Sequence, residues 1–321
     1  MALVCDRIGF TYEGAAEAAF AGVSLTVEPG EVLGVAGSSG SGKTTLLRCM
    51  AGSLVPVKGT VSVDGMVLTD VPGRRRSFAA RVALVRQLPE QQLFAKTILE
   101  EVSFGPRNLG LSEAEVSERA CWALECVDIP IDRAIATSPF SCSGGERRRI
   151  AIAGMLAMRP DYLLLDEPTA GLDAVQRDRV LKVVAELADD GMGVAVVSHD
   201  VDVLCRCADT AALLADGALV ATGTAGEVLG SPDVLARAGL SPSAPVALAA
   251  RLRAAGMALP RGLLTDGDVA AAVAAACGAG SVSAGGADPA GAGGEVGADA
   301  PADGADAAPA AAAASKGGGA A

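Results

Sequence analysis

The sequence predicts an α/β fold: a parallel-sheet core preceded by a small antiparallel region, interrupted by a helical insertion and followed by a helical extension. Three observations carry that reading. Residues 162–165 and 194–197 are unbroken apolar runs, the pattern of strands buried on both faces of a parallel sheet, and residues 175–188 between them suit a crossover helix. Residues 32–36 are another apolar run, which leads straight into a glycine-rich loop and a helix-forming stretch. Asp64-Gly65, flanked by residues 60–63 and 66–68, is a hairpin signal, because both positions tolerate the positive φ angles of a tight turn.

Residues 3–12 read as a strand, and residues 23–27 alternate like a half-buried one. Glu28-Pro29-Gly30 turns the chain into the 32–36 strand, and residues 44–50 form the helix after the glycine-rich loop. From about residue 89 to 158 the signals are helical, with one stretch over 113–127 and another over 146–158 that Pro160 closes. Short helices are expected at 246–256 and 268–276. The expected organisation is a main unit over 1–230, with 89–158 inserted as a helical subdomain, and a helical extension over 231–277. Residues 278–321 hold no Leu, Ile, Met or aromatic residue. Such sequence cannot bury enough surface to offset its ordering entropy, so the tail is expected to be disordered.

Composition bounds the function. Half of the 321 residues are apolar, yet aromatics are only 3% and no charge-free apolar run reaches the length of a membrane span. The start, Met1-Ala2-Leu3-Val4-Cys5-Asp6-Arg7, lacks the basic and apolar regions of a signal peptide, so a chain retained inside the cell is expected. The eight cysteines form no C-x-x-C pair and no zinc spacing, and all eight are read as small buried hydrophobes in a reducing compartment. A net charge of −12 argues against nucleic acid as a partner bound through the bulk field.

The residues that carry chemistry begin with Gly37-Ser38-Ser39-Gly40-Ser41-Gly42-Lys43-Thr44, a complete phosphate loop between a strand and a helix. Its backbone N–H groups would curve around phosphates, aided by the helix N-terminus, with Thr45 next in line. Lys43 would reach the outer phosphates and Thr44 would ligate Mg²⁺. Asp166 ends an apolar strand, so it should emerge beside the phosphates and contact Mg²⁺ through water, while Glu167 would polarise the attacking water. His199, the chain's only histidine, ends the second core strand at the same edge, where a neutral imidazole could hydrogen-bond the γ-phosphate. Gln87 stands at the junction with the helical insertion, placed to touch Mg²⁺ or the water. Tyr12 could stack on adenine or pack on the sheet as a strand-end aromatic. Arg147-Arg148-Arg149 opens a helix, where positive charge is mildly unfavourable, and is read first as a solvated face and second as a partner-facing one.

A second turn of the phosphate-gripping kind, Ser143-Gly144-Gly145-Glu146, opens a helix shortly before Asp166. One nucleotide does not need two such turns in one chain. Each chain therefore reads as two half-sites, completed in a pair.

In this order, Tyr12, the phosphate loop, Gln87, Ser143 to Glu146, Asp166-Glu167, Gly171-Leu172-Asp173 and His199 resemble the ATPase subunit of an ATP-binding-cassette (ABC) transporter over roughly residues 3–230. The resemblance implies a RecA-like phosphate-loop NTPase core, ATP and Mg²⁺ as cofactors, and two subunits that sandwich two ATP molecules head to tail. Ser143, Gly144, Gly145 and Glu146 would then contact the ATP held by the partner's loop, and Asp173 would join the nucleotide contacts. A narrower set is similar to energy-coupling-factor (ECF) transporter ATPases: Pro89-Glu90-Gln91-Gln92-Leu93-Phe94, residues 101–111 and residues 151–160. That implies an importer of vitamins, cobalt or nickel, in which a second ATPase, an integral membrane coupling protein and a substrate-capture protein are partners. The chain would lie peripherally on the cytoplasmic face of the membrane. Departures from the usual pattern are Cys142 where the signature begins with leucine, Arg86 and Leu88 around Gln87, and Glu146 for glutamine. The alternatives are another ABC importer or exporter, or a soluble ABC ATPase acting on DNA or ribosomes. The single cassette and the lack of sustained heptads count against the soluble type.

Overall fold

The computed structural model describes residues 2–87 and 93–280. The expectation of a disordered tail falls almost wholly outside the described residues, as do Pro89 to Gln92 of the ECF-like motif.

Two sheets organise the chain. Strands β1 (Leu3–Phe10), β2 (Phe20–Val27), β4 (Lys58–Val63) and β5 (Met66–Val67) form an antiparallel sheet in the order β2-β1-β4-β5. Asp64 and Gly65 join β4 to β5 with φ of 47° and 80°, left-handed at both positions as the hairpin signal requires. The larger sheet holds β3 (Val32–Gly37), β6 (Val82–Val85), β7 (Tyr162–Asp166), β8 (Gly193–Ser198), β9 (Thr210–Ala215) and β10 (Ala218–Thr224) in the order β10-β9-β3-β8-β7-β6. Its strands run parallel except for β10, which folds back on β9 at the edge. Every residue of β3, β7 and β8 is buried. That is why these strands read as unbroken apolar runs instead of alternating ones.

Helix α1 (Lys43–Met50) follows β3, and α2 (Pro72–Ala79) precedes β6. Between β6 and β7 come α3 (Ile98–Asn108), α4 (Glu113–Cys126), α5 (Ile131–Ala136) and α6 (Gly144–Leu156). Helix α7 (Ala174–Asp189) crosses from β7 to the parallel strand β8. The shorter α8 (Val201–Cys205), α9 (Ala225–Val228) and α10 (Pro232–Ala236) lead to α11 (Ala244–Ala254) and α12 (Asp266–Gly280). Starts are set by local chemistry: Ser112 and Glu115 make a reciprocal capping box on α4, and the Asp173 side chain caps α7.

Two apolar cores cover the parallel sheet. One joins it to α1 and the antiparallel sheet through Leu3, Phe20, Leu46, Met50, Phe78 and Leu164. The other joins it to the helices through Ile98, Val102, Leu124, Ile150, Leu163 and Leu165. Each such side chain contributes about 1.5–3 kcal/mol by leaving water, so helices and strand ends are held in fixed register. A smaller cluster of Ala249, Leu259, Leu263 and Val269 packs α11 against α12.

The cysteine expectation needs correction. Cys5, Cys49, Cys142 and Cys205 are buried, but Cys121 and Cys277 are exposed, on the outer faces of α4 and α12. Burial pushes the Cys5 and Cys49 thiols up to about 12.

Candidate active site

The C-terminal ends of β3, β6, β7 and β8 deliver the site. Register pairs Ala36 with Ser198 and Asp166 with Val197, so Gly37, Asp166 and His199 leave the sheet at one edge. The loop after β3 turns through Gly40 and Gly42, with φ of 83° and 97°. Only glycine suits Gly42: besides the angle, a Cβ there would run into the backbone carbonyl of Ala19.

Lys43 is 8% exposed, and its ammonium curls over the loop, donating to the Gly37 carbonyl at 2.7 Å, the Ser38 carbonyl at 2.8 Å and Ser41 Oγ at 3.4 Å. Burial holds its pKa below the usual lysine value, against the opposing pull of Glu167 and Asp166. Its present partners are neutral oxygens, and a phosphate would be a stronger acceptor.

Thr44 Oγ1 donates to Asp166 Oδ2 at 2.9 Å, tying α1 to β7. Asp166 is 5% exposed, and burial pushes its carboxyl up despite that bond. Its other oxygen, Oδ1, is buried without a hydrogen-bond partner. A buried acceptor left so costs on the order of 1–3 kcal/mol, which a hard cation beside it would relieve. Among the described residues no cluster of three His, Cys, Asp or Glu could cage a metal alone. The donor set therefore fits an ion that keeps waters and takes phosphate oxygens, which is the habit of Mg²⁺.

Glu167 holds a left-handed backbone, φ 51°, while its N–H extends the ladder to Val197 O at 2.9 Å. The kink costs about 1–3 kcal/mol and aims the side chain at the end of β8. There Oε2 accepts from Ser198 Oγ at 3.2 Å, and Oε1 accepts from the His199 N–H at 2.9 Å. His199 Nδ1 lies 2.7 Å from the same Oε1. For a neutral imidazole this contact is a hydrogen bond only with the proton on Nδ1, which leaves Nε2 an acceptor. In this arrangement His199 holds Glu167, and a neutral ring meets a phosphate oxygen only by giving up that tautomer.

Tyr12 hydroxyl and Thr45 Oγ1 share a hydrogen bond at 3.0 Å, and the Tyr12 ring stands edge-on to Phe10. Tyr12, Ser39, Gly40, Gly42, Lys43, Thr44, Thr45, Gln87, Asp166, Glu167 and His199 line one cleft of about 520 Å³, with Ala19 as a wall that sequence did not suggest. Gly37, Ser38 and Ser41 form the back of the loop through Lys43. A larger hollow of about 900 Å³ lies between Gly226 and Arg253 and gathers none of these groups.

Ser143, Gly144, Gly145, Glu146 and Asp173 do not line the cleft. Ser143 caps α6, its hydroxyl accepting from Glu146 N while its own N–H donates to the Glu146 carboxylate. Arg133 holds that carboxylate at 2.7 Å. Gly145 lies so close to the Gln176 amide that a Cβ would displace it. The signature turn and the first turn of α7, which Asp173 caps, are thus packed together.

The solvated reading of Arg147, Arg148 and Arg149 is wrong for two of them. Arg148 is 7% exposed and Arg149 is 3%. Arg148 donates to Glu167 O at 2.7 Å and Gln87 O at 3.3 Å; Arg149 donates to Val127 O at 2.6 Å and Asp128 O at 3.1 Å. Charge at a helix N-terminus is unfavourable unless carbonyls receive it, and that conflict was the available signal. Ser198 was missed too, because a serine ending an apolar strand carries no signal of its own.

The description of the matching family model is "ABC transporter", and it matches residues 20–170. An energy-coupling factor transporter ATP-binding protein from Symbiobacterium thermophilum is 45% identical over 252 residues, covering 78% of this chain and 87% of its own. A cobalt import ATP-binding protein from Rhodobacter capsulatus is 41% identical over 264 residues, covering 81% and 93%. The chain belongs to the ATP-binding subunits of energy-coupling factor transporters, a branch of the ABC transporter family.

The solved structures agree. A CbiO1 subunit from Clostridium perfringens, part of an ABC transporter complex, superposes with a TM-score of 0.66 at 29% identity over 73% of this chain and 93% of that one. A dimeric ATP-binding cassette bound to ADP and phosphate superposes at 0.62, with 28% identity over 70% and 99%. Membership makes the chain an ATPase that acts in transport. Among the described residues no helix is long and apolar enough to cross a membrane.

Proposed function

We propose that the chain binds ATP and Mg²⁺ in the 520 Å³ cleft and hydrolyses ATP as one of two cassettes paired head to tail. The observation that carries this is the split of the machinery: one cleft gathers the loop, Asp166, Glu167 and His199, while Ser143 to Glu146 and Asp173 stand outside it. A partner's signature turn would close the cleft, as the dimeric form of a similar cassette favours. Residues 1–230 act as the nucleotide-binding unit, 89–158 as its helical subdomain and 231–277 as the extension.

Lys43 exchanges the Gly37 and Ser38 carbonyls for phosphate oxygens, and the loop N–H groups hold the phosphates at the N-terminus of α1. Thr44 and Asp166 would hold Mg²⁺, with Gln87 beside them; bound there, the ion neutralises charge on the phosphate oxygens. Glu167 accepts the proton of the attacking water, its carboxylate aimed by Ser198 and by both donors of His199.

The membrane partner docks at the start of the helical insertion, around α3. Phe94 and Phe104, 57% and 46% exposed, meet edge-on at 4.6 Å between centroids and form an apolar knob. Buried Glu101 fixes it by accepting the N–H groups of Phe94 and Ala95, both at 2.8 Å. An integral coupling protein, in company with a substrate-capture protein, covers that knob, and the chain lies on the cytoplasmic face of the membrane. Affinity purification of the full chain from solubilised membranes tests this. Recovery with integral membrane proteins, lost on Phe94→Asp, is expected; recovery with ribosomes or DNA would overturn it.

A further inference from the structure

We propose that Arg148 is a positioning residue that ties Glu167 and Gln87 to the signature helix α6, so that turnover at a chain's own loop depends on where its lent helix sits. The inference rests on the paired-cassette reading above.

Two buried arginines leave neighbouring positions of α6, and their partners differ in kind. Arg149 reaches Val127 and Asp128, just past the end of α4, so both ends of that contact belong to the helical insertion. Arg148 instead leaves the insertion and reaches the sheet edge. Its guanidinium spans the carbonyl of Glu167 at 2.7 Å and that of Gln87 at 3.3 Å, one beyond the end of β7 and the other just beyond β6. A planar fork can hold two acceptors at once, which a lysine ammonium does less well.

The acceptor on Glu167 is the informative one. That residue carries the left-handed φ of 51°, and the peptide leaving it accepts the shorter of the two bonds. A strained conformation persists only where its surroundings hold it. Arg148 is such a hold, and it comes from the helix whose first residues serve the partner's nucleotide. Gly145 adds a second link, since it abuts Gln176 in the first turn of α7. A shift of α6 on meeting the partner's phosphates therefore reaches the Glu167 peptide and the Gln87 carbonyl through one side chain.

The test uses the full-length chain with Arg148→Gln, Arg148→Lys and Arg149→Gln, measuring kcat, KM, nucleotide Kd, Hill coefficient and Tm. Losing a charged hydrogen bond that orients the base should cut kcat by about 10- to 100-fold in Arg148→Gln. Its nucleotide Kd should stay unchanged, and its Hill coefficient should fall toward one. Arg148→Lys, which keeps a buried cation and one bond, should give an intermediate kcat and carries the test if the glutamine variant does not fold. Arg149→Gln should lower Tm while kcat and the Hill coefficient stay near wild type. The proposal is overturned if both Arg148 variants turn over like Arg149→Gln, or if they lose nucleotide affinity instead of kcat. Glu167→Gln, run alongside, separates the layers: if it is inactive while the Arg148 variants are normal, only this inference falls. If Glu167→Gln is itself active, the reading of the site falls.

Discussion

Glu167→Gln changes the chemistry of the site while leaving its geometry almost untouched, and the hydrogen bonds show why. One amide oxygen can replace Oε1, which receives the His199 N–H at 2.9 Å and faces Nδ1 at 2.7 Å. The amide NH₂ then faces Ser198 Oγ, which already accepts from Asp200 N at 3.1 Å and can accept again. The fold should therefore lose no more than about 1 kcal/mol, the difference between a charged and a neutral acceptor, and Tm should move by less than about 4 °C. What disappears is a proton acceptor. Its loss should lower kcat by on the order of 10²–10⁴, or about 2.7–5.4 kcal/mol of transition-state stabilisation. Phosphate release, nucleotide Kd and size-exclusion chromatography with ATP together read the outcome: slow turnover, unchanged binding and an accumulated ATP-bound dimer. A variant that hydrolyses ATP like wild type would refute the assignment of Glu167, as would a Kd weakened by the same factor as kcat.

Other perturbations probe the remaining parts. Ser143→Arg removes a helix cap worth about 1 kcal/mol and fills the signature turn, so hydrolysis should stop while the monomer still binds ATP; loss of binding would refute the trans role. Asp166→Asn should raise the Tm of the nucleotide-free chain and abolish hydrolysis. The sign follows from the raised carboxyl: a folded pKa above the unfolded one makes the ionised form a cost that grows as pH rises through the folded value. A nucleotide-free Tm lower in the variant at pH 7 would contradict it. Thiol alkylation at pH 8 should label exposed Cys121 and Cys277 first. Cys5 and Cys49, buried and shifted to about 12, should react only on unfolding, and rapid native labelling of either would show the core to be looser than described.

What could be read from sequence divides by the range of the physics involved. The strand, glycine-rich loop and helix over 32–50 were legible because the motif fixes residue types over eight consecutive positions. β7 and β8 were legible because burial on both faces makes an unbroken apolar run. β9, whose sequence is TAALLA, carries no β-branched residue after its first position and was not expected as a strand; pairing with β3 makes it one. Helix α2, with three arginines and little apolar surface, gave no periodic signal. The buried arginines were missed for the opposite reason. Arg148 finds its carbonyls 19 and 61 residues away, a separation that no local pattern encodes.

In the paired-cassette reading, the signature turn explains why the site would stay incomplete in one chain. The N-terminus of α6 has the N–H groups and the dipole that suit an anion, yet the Glu146 carboxylate already occupies that end, bonded to Ser143 and held by Arg133. A phosphate that arrives there meets a like charge beside its donors. In that reading Arg133, already bound to the other carboxylate oxygen, would offset this by keeping its hold on Glu146 while Ser143 changed partners. The exposure of that ion pair, 47% at Arg133 and 18% at Glu146, limits its worth to about 1 kcal/mol or less. An ion pair of that worth would not by itself keep a triphosphate from displacing the carboxylate. In that reading, closure of the cleft by a second chain would depend on ATP itself, and loss of the γ-phosphate would let Glu146 return to its cap.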